Sequence, residues 1–180
     1  MPSVVDSYLD LLDSQRETAF AALHGLDDAQ LWQRPAPKEW CLGEMLDHNY
    51  LLIASFLPLA RFSWNALHGW ARKRRQRPYA TQIEDVYRKE SFPMWVGFLW
   101  TPRHNPRKPV PLAQLKQEME ALHHEVRAFY TGKDEDLLGN IYLYDPVFGW
   151  INLIVTLRIG IYHDQLHFDD IIKRAKDLKR

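Results

Sequence analysis

The stretch Trp150–Ile172, WINLIVTLRIGIYHDQLHFDDII, decides how the rest of the chain is read. It is apolar over most of its length and spans several helical turns, so it is expected to form one long, mostly buried helix. Within it His163 and His167 stand four residues apart. At about 100° per residue that spacing puts both imidazoles on one helix face, one turn apart. Thr156 and Gly160 continue the same stripe, and their small side chains leave room above the pair. Two imidazoles so placed can grip one metal ion, a geometry shared by helical zinc motifs. Two ordinary histidines on an apolar helix face satisfy the same spacing, so the pair needs support from elsewhere in the chain.

The 180 residues suit one domain, 1–180, with a full-sized core, and the 46% apolar fraction is that of a globular protein rather than a disordered one. Lys plus Arg equal Asp plus Glu at 23 each, so overall charge points to neither nucleic acid nor membrane. The single cysteine, Cys41, excludes an internal disulfide and any multi-cysteine zinc or iron–sulfur site, which fits a reducing cytoplasm. Asp6, Asp10 and Asp13 near the start are not those of a signal peptide. The apolar runs Tyr50–Ala60 and Val147–Tyr162 are too short to span a bilayer, and Asn152 and Arg158 interrupt the second; both are expected to be core helices.

Upstream, Ser3 and Asp6 mark a helix start, and Val5, Leu9, Leu12, Ala19, Phe20 and Leu23 recur near a 3.6 period until Gly25. Asp27 with Gln30 resembles a capping box for a short helical turn. A second long helix is expected from about Cys41 to about Ala66. Its inward stripe holds Cys41, Met45, His48, Leu52, Ser55, Phe56 and Leu59, so His48 stands among apolar side chains. Glu44, one turn before His48, either orients that imidazole from behind or is a helix-surface acid. A third helix, Leu112–Tyr130, carries Leu115, Met119, Leu122, Val126 and Phe129 inward and stops at Gly132. His123 and His124 are adjacent, point to different faces and are expected at the surface.

Between the second and third helices lies a long crossover, 66–111, rich in aromatic residues and prolines. Counted from Arg61 to Lys108 the segment has 11 basic residues and 3 acids, a charge of +8 that the remainder balances at −8. Its run Arg72-Lys73-Arg74-Arg75-Gln76-Arg77 makes Arg72, Arg74 and Arg75 candidates for an anion-facing surface, the alternative being a solvated loop. A short helix is expected over 79–90, and Phe92–Trp100 as an apolar lid on the bundle end. The fold class is therefore all-α: a four-helix bundle whose long crossover permits the second and third helices to run parallel.

His48 and His163 are far apart in sequence, and spacing alone cannot bring them together. Here a resemblance contributes. WCLGEMLDH, Trp40–His48, resembles the second-helix signature of the DinB/YfiT-like superfamily, and GIYHDQLHFDDI, Gly160–Ile171, resembles its fourth-helix signature. PVFGWINLIVTLRIG and PLAQLKQEMEAL fit the same layout; the basic, tryptophan-rich crossover is the main departure. The resemblance implies that His48, His163 and His167 bind one divalent metal at an open end of the bundle, with water or a low-molecular-weight thiol completing the coordination. It implies helices two and three in parallel, and often a homodimer. Members include thiol S-transferases that use bacillithiol, mycothiol or glutathione, and others with hydrolase or isomerase-like roles.

The chemistry of the residues agrees. Three neutral imidazoles with an open position is the layout of a catalytic zinc site, and nickel or iron(II) accepts the same donors. A ferritin-type di-iron site is disfavoured, because Glu120 with His123 is the one Glu-x-x-His pair in the third helix and the fourth offers none. The expected function is a metal-dependent enzyme, a thiol S-transferase or hydrolase, acting on a small molecule; no catalytic side chain is assigned. The alternative is a non-catalytic bundle that binds a small molecule or a partner. Nucleic-acid and membrane partners are disfavoured.

Overall fold

The computed structural model describes residues 3–89 and 99–180. Four long helices, α1 (Val4–Leu23), α3 (Leu42–Arg72), α4 (Leu112–Tyr130) and α6 (Leu153–Leu178), form the bundle. Two short helices, α2 (Asp28–Trp32) and α5 (Glu135–Leu138), and an antiparallel hairpin, β1 (Tyr142–Asp145) with β2 (Gly149–Asn152), complete it. The expected bundle is there, with six α-helices among the described residues in place of a strict four.

The local chemistry of the ends explains most boundaries. Ser3 Oγ accepts from the Asp6 N–H at 3.0 Å, and Asp27 and Gln30 form the capping box of α2. Gly132, at φ +73°, follows α4 in the left-handed region that ends helices. The start of the last helix departs from expectation. Trp150–Asn152 are strand, not helix, because Asn152 Oδ1 accepts from the Val155 N–H at 2.9 Å and caps α6 there. Upstream, Asp145 Oδ1 accepts from the Val147 and Phe148 N–H groups, Gly149 takes φ +74°, and the chain turns back. The hairpin then alternates, Leu143 and Ile151 inward, Tyr144 and Trp150 outward. The second long helix runs to Arg72, past the expected Ala66, with Pro58 inside it.

Cross-helix contacts give the directions. Arg103 joins Asp47 to Glu118 at one level, and Arg61 meets Glu125 further along, so α3 and α4 run parallel. Gln15 meets Gln165 and Lys179 reaches the Ala22 carbonyl, so α1 and α6 are also parallel. Trp40 meets Arg174 while His48 meets His163, which sets α3 antiparallel to α6. The up–down–down–up order is what the long crossover permits.

The core is divided. One apolar cluster gathers Leu9, Leu12, Leu52, Leu57, Val126 and Leu157; the other gathers Leu23, Leu46, Leu115, Met119, Phe168 and Ile171. Between them each long helix contributes buried polar side chains: Gln15 from α1, Asp47, His48 and Asn49 from α3, His123 from α4, and His163 and Asp164 from α6.

The crossover packs by charge and by carbonyl anchoring. The helix expected over 79–90 is reduced, among the described residues, to a 3₁₀ turn at Val86–Arg88. The Ala80, Thr81 and Ile83 carbonyls accept instead from Asn152, Tyr8 and Tyr162, so they are not available to helical N–H groups. Most of the lid expected at Phe92–Trp100 lies outside the described residues. Of the three arginines expected to face an anion, Arg75 pairs with Asp134 and Asp136, Arg74 stacks over Trp70 at 3.7 Å, and Arg72 is exposed at the end of α3. Arg88 likewise meets Asp85 and Asp169. Part of the positive charge of the crossover thus meets acids of the bundle within the molecule.

Candidate metal centre

Helix α3 carries His48 inward, and α6 carries His163 and His167 to meet it. One nitrogen from each ring lies within 4.8 Å of the other two. His48 and His163 are 2% and 4% exposed; His167 is half-buried. The three ring centroids are 4.7 to 4.9 Å apart. Among the described residues no fourth His, Cys, Asp or Glu joins the group.

The ring orientations show which atoms face the centre. His48 Nδ1 lies 2.8 Å from the Trp100 carbonyl. A carbonyl only accepts, so Nδ1 carries the proton and donates, and Nε2 keeps its lone pair. That Nε2 faces His163 Nε2 at 3.1 Å. Metal–nitrogen bonds of about 2.0–2.1 Å at tetrahedral or octahedral angles place neighbouring donors about 2.9–3.4 Å apart, so the observed separation fits one shared cation.

The electrostatics favour neutral donors. Burial, reinforced by the neighbouring His163, pushes His48 down to about 4, and burial takes His167 well below the usual histidine range. Both rings are therefore unprotonated bases at neutral pH, as metal ligands must be. Aromatic side chains close in: Trp40 lies 4.7 Å from the His48 ring and Tyr87 5.5 Å from His163. Trp100 also donates its indole N–H to Ser55 Oγ at 2.9 Å, which ties the far end of the crossover to α3. Above the site an apolar cavity is lined by Leu52, Phe56, Thr156 and Gly160, the room expected from the small residues on the α6 stripe.

Glu44 takes neither place expected of it. It is buried, not a surface acid, and its carboxylate accepts from the Arg34 guanidinium and from the Cys41 N–H, not from His48. The first turn of α3 presents unpaired N–H groups, and a carboxylate there is drawn to them. Burial alone raises its pKa, but Arg34 and the Cys41 N–H outweigh that and hold it below the ordinary value. Cys41 is a buried thiol pushed up to about 12 by that burial, an inert packing group.

Sequence reasoning missed three supports. The Trp100 carbonyl behind His48 had no local signal, because it arrives from the crossover. His123 is completely buried, not at the surface, with Nε2 3.5 Å from Asp164 Oδ2. Asp164 was visible in principle: it sits on the stripe Ile154, Leu157, Ile161, Phe168 and Ile171, where an apolar residue is expected.

No helix among the described residues is long and apolar enough to cross a membrane. A search of curated proteins finds no significant match. The family model of the DinB superfamily matches residues 11–171, a span holding all four long helices in whole or large part and all three clustered histidines. With this match over most of its length, the chain belongs to the DinB superfamily.

Proposed function

We propose that the protein is a metal-dependent enzyme, a thiol S-transferase or hydrolase, working through one divalent ion held by His48, His163 and His167. The observation that carries this reading is the convergence of three imidazoles, those of His48 and His163 buried and that of His167 half-buried, with no fourth protein donor among the described residues. Zinc, nickel or iron(II) suits such a donor set and supplies the Lewis acidity that makes a water or a thiol nucleophilic at neutral pH.

The chain's own residues do the rest. Trp100 fixes the His48 tautomer through its carbonyl, and Trp40 and Tyr87 limit the approach of water to the imidazoles. The cavity along Leu52, Phe56, Thr156 and Gly160 receives an apolar portion of a small-molecule substrate. The lone buried cysteine supports a cytoplasmic setting. Exposed Phe62, Tyr144 and Trp150 supply apolar surface for a homodimer.

Metal analysis of protein purified without a nickel column, beside a His163→Ala variant, tests the centre. Wild type is expected to hold one divalent ion per chain and the variant to lose it; equal content in both would overturn the reading. Metal-loaded protein is then screened with low-molecular-weight thiols against electrophiles and with hydrolysable esters and amides. Turnover that disappears in His163→Ala supports the enzyme; silence at full loading supports a non-catalytic binding bundle.

A further inference from the structure

Asp164 occupies a position where the bundle is built to bury hydrocarbon. Ile154, Ile161, Phe168 and Ile171 lie on the same α6 stripe and are at most 1% exposed; Asp164 is at 0%. A buried carboxylate costs several kcal/mol in solvation unless charged or hydrogen-bonding partners offset it. Neither carboxylate oxygen accepts a hydrogen bond among the described residues. Two imidazoles flank it at charge-contact distance, His123 Nε2 at 3.5 Å from Oδ2 and His163 Nδ1 at 3.9 Å from Oδ1. His163 Nδ1 is itself buried without a hydrogen-bond partner.

The orientation of His163 connects these facts. Its Nε2 faces His48 Nε2, so metal ligation through that atom requires the ring proton to sit on Nδ1, the nitrogen beside Asp164. A buried N–H needs an acceptor, and a ligating imidazole is held best when its other nitrogen donates to a carboxylate or a carbonyl. His48 has that support in the Trp100 carbonyl. For His163 the group in place is Asp164, and the remaining gap is of the kind that closes when a site is loaded.

We propose that Asp164 is the positioning carboxylate of the three-histidine centre, accepting the Nδ1 proton of His163 while His123 holds it from the other side. The centre then has one ligand backed by a neutral carbonyl and one backed by an anion. The anion offsets part of the charge of a dication in a poorly solvated layer, and the cation in turn relieves the cost of burying Asp164. This rests on the metal centre proposed above.

The test is zinc affinity by chelator competition, for wild type, Asp164→Asn, Asp164→Glu and His123→Gln. Asp164→Asn is expected to weaken zinc binding by about 10–100-fold, the usual loss when a group behind a metal ligand is removed. Asp164→Glu is expected to recover part of that loss, and His123→Gln to show a smaller loss in the same direction. Nitrogen-15 NMR of the zinc-loaded protein supplies a readout that a purely structural role leaves unmoved. The His163 Nδ1–H is expected to be protected from exchange and shifted downfield in wild type, and to lose both properties in Asp164→Asn. Should that variant fail to fold, His123→Gln and the wild-type Nδ1–H signal carry the test. Wild-type zinc binding matched by unweakened Asp164→Asn, or a metal-loaded His163 with no protected Nδ1–H, overturns the role of Asp164 alone. A wild type that takes up none of zinc, nickel or iron(II) overturns the metal centre, and this inference with it.

Discussion

Acidification of the metal-free protein should expose the cost of holding His48 uncharged. In the fold its pKa is depressed from 6.5 to about 4, first by burial and then by the neighbouring His163. In the unfolded chain the same ring takes up its proton as pH falls through 6.5, while the native ring stays neutral until about 4. Across that window the unfolded state binds more protons, so stability falls on acidification and is complete above the upper bound. Each pH unit contributes about 1.4 kcal/mol, giving a loss on the order of 3 kcal/mol from this ring. His167, depressed for the same reason, adds to the loss in the same direction. The assay is urea unfolding in excess chelator at several pH values from 7.5 to 4.5, for wild type and His48→Gln. Glutamine stays neutral throughout, so the carboxylates common to both proteins cancel in the difference. Wild type is expected to lose stability more steeply below 6.5 than the variant does. Parallel curves, or a wild type that gains stability on acidification, would refute the reasoning.

Two further predictions concern how the crossover is held. Gly139 has φ −68°, within reach of any residue, but a Cβ there would lie 2.1 Å from the Tyr79 ring, which is tied to Asp136 through its hydroxyl. Gly139→Ala is expected to cost about 1–3 kcal/mol and to lower Tm by a few degrees in a thermal melt, and an unchanged Tm would count against this packing. Arg103→Met leaves the fully buried Asp47 carboxylate with only the backbone N–H groups of residues 103 and 104. The expected loss is about 1–3 kcal/mol in a denaturant titration, and Asp47→Asn combined with it should cost less than the sum of the two single changes.

Some of the centre was legible early because its signals are local. His163 and His167 share a face by helical geometry, and any helix through them keeps that relation. His48 on an otherwise apolar stripe was a second local signal, joined to the first through family resemblance. Glu44 shows the limit of that reasoning. One turn of separation is compatible with contact to His48, but the open N–H groups at the start of α3 and the guanidinium of Arg34 compete for the same carboxylate and take it. His123 shows another: on α4 it borders the core stripe, and only the packing of α6 against it decides that it is fully buried.

The sequence by itself determined the four long helices, the caps at Ser3 and Asp27, the stop at Gly132 and the His163–His167 pair. Each depends on hydrogen bonds or periodicities spanning a few residues, and such interactions are encoded where they act. Tertiary structure alone decided the hairpin at the start of α6, the pairing of Arg75 with the acids of α5, the Trp100 carbonyl behind His48 and the placing of Asp164 between two imidazoles. These join groups from distant parts of the chain, and their proximity follows from how the helices and the crossover pack together rather than from any local pattern.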